Sequence, residues 1–126
     1  MNLDIKSLRD LPVQDAAECL AAFVEALVQV NGLFLRRNPS TAKLFAAHIV
    51  YEDRPDWQDV PAMLLSRRGD CKSLCAWRIA ELRESGQEAF AHVVFIPKVK
   101  EDLFHFQVRR AGGKMEDPSR FLGMRE

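Results

Sequence analysis

The sequence predicts an α+β domain, and two observations carry that prediction. Apolar residues recur at helical spacing through the first two-thirds of the chain. Alternating and β-branched or aromatic runs, separated by turn residues, fill the last third. Helices that precede a block of strands segregate from the sheet rather than alternating with it, which is the α+β pattern and not the α/β one.

Each element follows from local chemistry. From Val13 to about Leu35, the apolar residues Ala16, Leu20, Phe23, Leu27, Val30 and Phe34 share a helical face. Pro12 suits the start of that helix, and Arg36-Arg37 suit its negative end. Asn38-Pro39-Ser40 breaks it, and Ser40 or Thr41 caps a further turn or two through Leu44-Phe45-Ala46-Ala47. Residues 48–51 read as a short extended piece, and 52–56 as an exposed loop. Pro61 opens a short helix over 62–65, ahead of a turn at 67–70. From Cys71, the residues Leu74, Cys75, Trp77, Arg78, Ile79 and Leu82 form the packing face of a helix that Gly86 ends. Strands follow at 89–96 and 103–108, then a hairpin turn at Ala111-Gly112-Gly113 and a short strand over 114–117. The connection 97–102 is charged and expected in solvent.

At 126 residues the chain is the size of one domain, 1–126, and it is long enough to bury a core without a disulfide framework. Eighteen basic and eighteen acidic residues balance, which speaks against a nucleic-acid or anionic-membrane partner. No long apolar run suggests a membrane span, and residues 1–6 lack a signal-peptide layout. Three cysteines, an odd number in helical contexts, fit a reducing cytoplasmic setting.

The most informative stretch is Gly69-Asp70-Cys71. It sets a cysteine at a helix N-terminus, where unpaired N–H groups and the helix dipole favour the thiolate. Lys72 adds a positive charge beside it. Downstream come His105 in a strand and Asp117 just past a hairpin. The order Cys, His, Asp is that of a nucleophile, a base and a group that orients the base. The antiparallel hairpin brings 105–108 near 117–119, so Asp117 is expected to bond one ring nitrogen of His105. Cys19 and Cys75 lie within apolar helical patterns and read as core residues.

Gly69-Asp70-Cys71 opening a helix, a strand His105, and Asp117-Pro118-Ser119 resemble the transglutaminase-like branch of the papain-fold thiol enzymes. The small stand-alone members, many associated with phages and prophages, are the most similar. Trp57-Gln58-Asp59-Val60-Pro61 and the helix after Cys71 share the likeness, which covers roughly residues 38–124. The resemblance implies a nucleophile-bearing helix packed on a small antiparallel sheet. It implies Cys71 as nucleophile, His105 as base and acid, and Asp117 as orienter. It further implies an oxyanion hole built from the Cys71 N–H and a second donor upstream, where Trp57 and Gln58 are the side chains that suit. Phe104 and Phe106 depart from it, standing around His105 where a small residue and Trp are common.

The leading expectation is thus thiol-dependent acyl transfer or amide hydrolysis on a peptide or protein substrate, without a cofactor or metal. A second is a non-catalytic binding or assembly module on the same fold, with phage structural proteins as partners. A third is a metal site from Cys71, Cys75, His92 and His105, since Cys71 and Cys75 share a helical face. Against it, Cys75 falls where the helix packs, and no tight Cys-x-x-Cys knuckle is present.

Overall fold

A computed structural model describes residues 10–97 and 103–125. The elements are α1 (Val13–Arg37), a 3-10 turn (Leu44–Ala46), β1 (Val50–Tyr51), α2 (Val60–Ser66), β2 (Arg68–Gly69) and α3 (Cys71–Glu84). Then come β3 (Ala89–Ile96), β4 (Leu103–Arg110), a turn at Ala111–Gly113, β5 (Met115–Glu116) and α4 (Pro118–Phe121). The fold is α+β: β3, β4 and β5 form an antiparallel sheet, and β1 with β2 form a short parallel pair. Segment 1–6 and the connection expected at 97–102 lie, beyond Pro97, outside the described residues.

The helix α3 is the centre of the molecule. Asp70 caps it by accepting the Ser73 N–H at 3.2 Å. It is buried on nearly every side, through Leu74, Cys75, Ala76, Trp77, Ile79, Ala80 and Leu82. The sequence suggested one packing face; two packed clusters take two faces instead. One cluster joins Cys75, Ala76 and Ile79 to Val24 and Val28 of α1 and to Ala89, Phe106 and Val108 of the sheet. The other joins Leu74 and Trp77 to Leu44, Ile49, Val60 and Met63. A helix apolar all round is stable only when enclosed in this way. Two of its buried polar side chains have partners: the Ser73 hydroxyl accepts the Gln58 N–H at 3.0 Å, and Glu81 accepts the Leu44 N–H at 2.8 Å, while the buried Trp77 indole N–H has none among the described residues.

By length and composition α1 could cross a membrane. Here one face of it packs, with Ala16, Val24, Val28, Asn31 and Gly32 buried, while Val13, Val30 and Leu33 are exposed. Asn31 accepts the Val60 N–H at 3.0 Å, satisfying a donor at the start of α2. Arg83 clamps Glu25 of α1 through two bonds of 2.6 and 2.8 Å.

Two elements escaped the sequence reading. The expected turn at 67–70 holds a parallel pair, Val50 with Arg68 and Tyr51 with Gly69. Asp117-Pro118-Ser119 begins the helix α4. Gly69 has little freedom to be anything else, because a Cβ there would meet Met63 Sδ at 2.8 Å and Leu74 at 3.1 Å. The turn that precedes Cys71 is thereby packed directly against α2.

Candidate active site

The ladder of β4 sets the site. Arg110 donates its N–H to Lys114 C=O at 2.7 Å, on the side facing β5. Strand geometry turns the N–H and C=O of Val108 and Phe106 toward that same edge. The partner strand β5 pairs only with Val108 and Arg109 before Pro118 turns the chain into α4. The edge at Phe106 is therefore open to α3, and two sulfurs fill it. The Phe106 N–H favours the charged form of the Cys71 sulfur, which packs on the cluster that holds Phe106. The Phe106 C=O accepts from Cys75 Sγ at 3.1 Å.

His105 precedes Phe106, and its side chain projects to the opposite face of the strand. It is 5% exposed. Its Nε2–H donates to Asp117 Oδ2 at 2.7 Å, so the neutral ring carries its lone pair on Nδ1. Gln107 shares the face of His105 and donates to the same oxygen at 3.3 Å. The Arg120 Nε stands 3.3 Å from that oxygen, and the Arg120 N–H reaches Oδ1 at 3.3 Å. Burial pushes the Asp117 carboxyl up, but the hydrogen bond and charge of His105, with the Arg120 N–H and Gln107, bring it below the usual range. Asp117 is thus ionised and fixed from several sides.

The structure joins His105 to Asp117, and it packs Cys71 on the cluster that holds Phe106, the next residue along the strand. Among the described residues no hydrogen bond links Cys71 directly to His105.

The expected thiolate is corrected. Burial, and then the Asp70 carboxylate, push the Cys71 thiol up to about 11. The N–H groups of Phe106 and Lys72 and the Lys72 charge work against them without prevailing. The second of these causes is the helix cap itself: Asp70 starts α3, but it also sets a buried carboxylate beside the sulfur. The Lys72 ammonium is ion-paired to Asp70, donates to the Arg54 C=O at 2.9 Å, and sits 5.5 Å over the Trp57 ring. Its charge is largely committed before it reaches Cys71.

The other expected residues separate. Trp57 packs edge-on to Phe23, with ring centroids 6.1 Å apart. Gln58 is buried; its N–H goes to Ser73 and its side-chain amide donates to Ser66 Oγ at 3.0 Å. Neither of these Gln58 groups is turned to Cys71. His92 is exposed on β3, opposite Gln107. Among the described residues no three His, Cys, Asp or Glu side chains come together as a metal-binding group. Cys19, Cys71 and Cys75 are free thiols.

Sequence reasoning missed Gln107, although its spacing of two from His105 puts both on one strand face. It also missed the parallel β1–β2 pair, which sets Tyr51 beside Gly69, two residues before Cys71. No family model, no curated protein and no solved structure matches the chain.

Proposed function

We propose that this protein is a thiol-dependent acyl-transfer enzyme acting on an amide or peptide carbonyl, with Cys71 as nucleophile, His105 as base and acid, and Asp117 as orienter. The observation that carries the reading is the 2.7 Å bond between His105 and Asp117, one strand residue from Phe106 of the cluster on which Cys71 packs. Because the resting thiol is neutral, the base must act during attack. Cys71 Sγ forms a bond to the carbonyl carbon while its proton passes to His105 Nδ1. The carbonyl pair moves to oxygen, then returns and expels the amine, which takes the proton from His105. Water resolves the thioester by the reverse proton path. The likeness of Gly69-Asp70-Cys71, His105 and Asp117-Pro118-Ser119 to the transglutaminase-like thiol enzymes points the same way.

The raised thiol and the missing direct bond to His105 favour a second reading, a non-catalytic binding or assembly module, for which phage structural proteins are the partner class. One experiment separates the two. The protein is treated with p-nitrophenyl acetate, the acetyl group is mapped by peptide mass spectrometry, and turnover is followed by nitrophenol release. The enzyme reading expects acetylation at Cys71, repeated turnover, loss of both in Cys71→Ser, and retention of both in Cys75→Ala. A Cys71 that is never acetylated, or is acetylated once and never released, leaves the module reading.

A further inference from the structure

The helix α1 is apolar on two sides. One side packs on α3 and the sheet through Val24 and Val28. The opposite side carries Cys19, Ala22, Ala26, Val30 and Leu33, which recur every three or four residues and so form one line along the helix. Ala22 and Ala26 are exposed, Cys19 is partly so, and Val30 and Leu33 keep 52% and 45% of their surface in solvent. Asp15 ends this line in the first turn and Arg37 in the last, and both are exposed. Off the line, Arg36 pairs with Glu84 and Glu25 with Arg83, whereas Asp15 and Arg37 have no ion pair among the described residues. The line is about 33 Å long at the rise of an α-helix. Contiguous exposed apolar surface of this kind marks an interaction site.

We propose that this line is the interface of a homodimer, in which α1 packs antiparallel on α1 of a second copy about a two-fold axis at Ala26. The line is symmetric in position: residues 15, 19 and 22 lie as far before 26 as residues 37, 33 and 30 lie after it. A two-fold interface needs this self-complementarity, because residue i must meet j while j meets i. Ala26 then meets its own counterpart, Ala22 meets Val30 of the second copy, Cys19 meets Leu33, and Asp15 meets Arg37. Small side chains face larger ones, and the central alanines let the helix axes approach to about 8 Å, the close end of the usual range. Two Asp15–Arg37 pairs close the ends. Charge fixes the direction, since a parallel pair would set Asp15 on Asp15 and Arg37 on Arg37. The antiparallel pair also places the positive end of each helix dipole beside the negative end of the other. The inference does not rest on the acyl-transfer reading, because this line lies on the opposite side of α1 from α3.

Sedimentation equilibrium of the full chain tests the proposal. The wild type should show twice the chain mass of 14.4 kDa. Ala26→Glu, which sets two carboxylates on the axis, should show the single mass with an unchanged far-ultraviolet circular dichroism spectrum. Asp15→Arg should weaken the dimer about tenfold, the scale of two exposed ion pairs, and adding Arg37→Asp should restore it, which a merely misfolded chain would not do. Direction is read by cross-linking: Leu33→Cys, oxidised with copper phenanthroline, should join to Cys19 of the second copy, and the product should vanish when Cys19→Ser is added. A single mass at every concentration, or a dimer that Ala26→Glu leaves intact, overturns the proposal. So does a cross-link that joins position 33 to position 33, the mark of a parallel pair. A monomer that floats with vesicles of phosphatidylcholine and phosphatidylglycerol overturns it as well, and shows that the line meets lipid.

Discussion

Cys71 and Cys75 sit one turn apart on α3 and meet the same residue of β4, but with opposite polarity. The Phe106 N–H favours negative charge on Cys71, an influence that grows as the sulfur ionises. Cys75 donates to the Phe106 C=O, a bond that exists only while the thiol keeps its proton. Cys75 is fully buried, while Cys71 is partly open, at the helix start, and adjacent in the ladder to His105. One strand edge thus sorts two chemically identical side chains into a structural thiol and a candidate nucleophile. Position on the helix alone does not do so, because the same N-terminus also holds the Asp70 carboxylate that opposes ionisation of Cys71.

The comparison is broken most severely from the His105 side. Asp117→Asn keeps the shape of the side chain but removes the charge that holds Nε2–H and so leaves the ring's lone pair on Nδ1. Acetylation of Cys71 at neutral pH should fall by about 100-fold, on the scale of general-base contributions. An unchanged rate would show that Asp117 serves only as the cap of α4.

A smaller effect sharpens the structural side. Cys75→Ala leaves the Phe106 C=O buried without a donor and opens a small void, costing about 1–3 kcal/mol. Cys71→Ala should cost less, because the site is partly open. Denaturant titration of both variants gives the order, and the reverse order would overturn the division of roles.

The smallest effect is on pH dependence. In the unfolded chain a thiol loses its proton near 9.0, whereas folded Cys71 holds it to about 11. The folded state binds the proton more tightly, so this contribution is full below about 9 and is lost as pH rises through 11. Cys75 is raised well above 9.0, first by burial and next by the charge of Cys71, and follows the same sign over a wider range. The fall in denaturation midpoint between pH 9 and 11 should therefore shrink in Cys71→Ala and shrink further in Cys75→Ala. Equal falls in all three proteins would show that burial does not hold these protons.

Much of this was legible from sequence, and the reason is local. The helices at Val13 and Cys71, the strand pair and the hairpin rest on spacing and turn residues, and they emerged within a residue or two of expectation. The meeting of His105 with Asp117 follows from one hairpin. What was not legible depends on contacts distant in the chain. The parallel pair joins residues 51 and 69 across an intervening helix, and two-residue strands leave no periodic signature. The protonation of Cys71 depends on how deeply Asp70 is buried and where the Lys72 ammonium goes, and the packing around α3 decides both. The commitment of Gln58 to Ser66 and Ser73 is likewise a packing outcome.

The central claim is that His105 supplies the base that Cys71 lacks on its own. The measurement that tests it is the pH profile of Cys71 acetylation by p-nitrophenyl acetate, in the wild type and in His105→Ala. At neutral pH the wild type should react faster by about 100-fold, and the two profiles should converge as pH approaches about 11, where the thiol ionises unaided. Two superimposed profiles across the whole range would contradict the account.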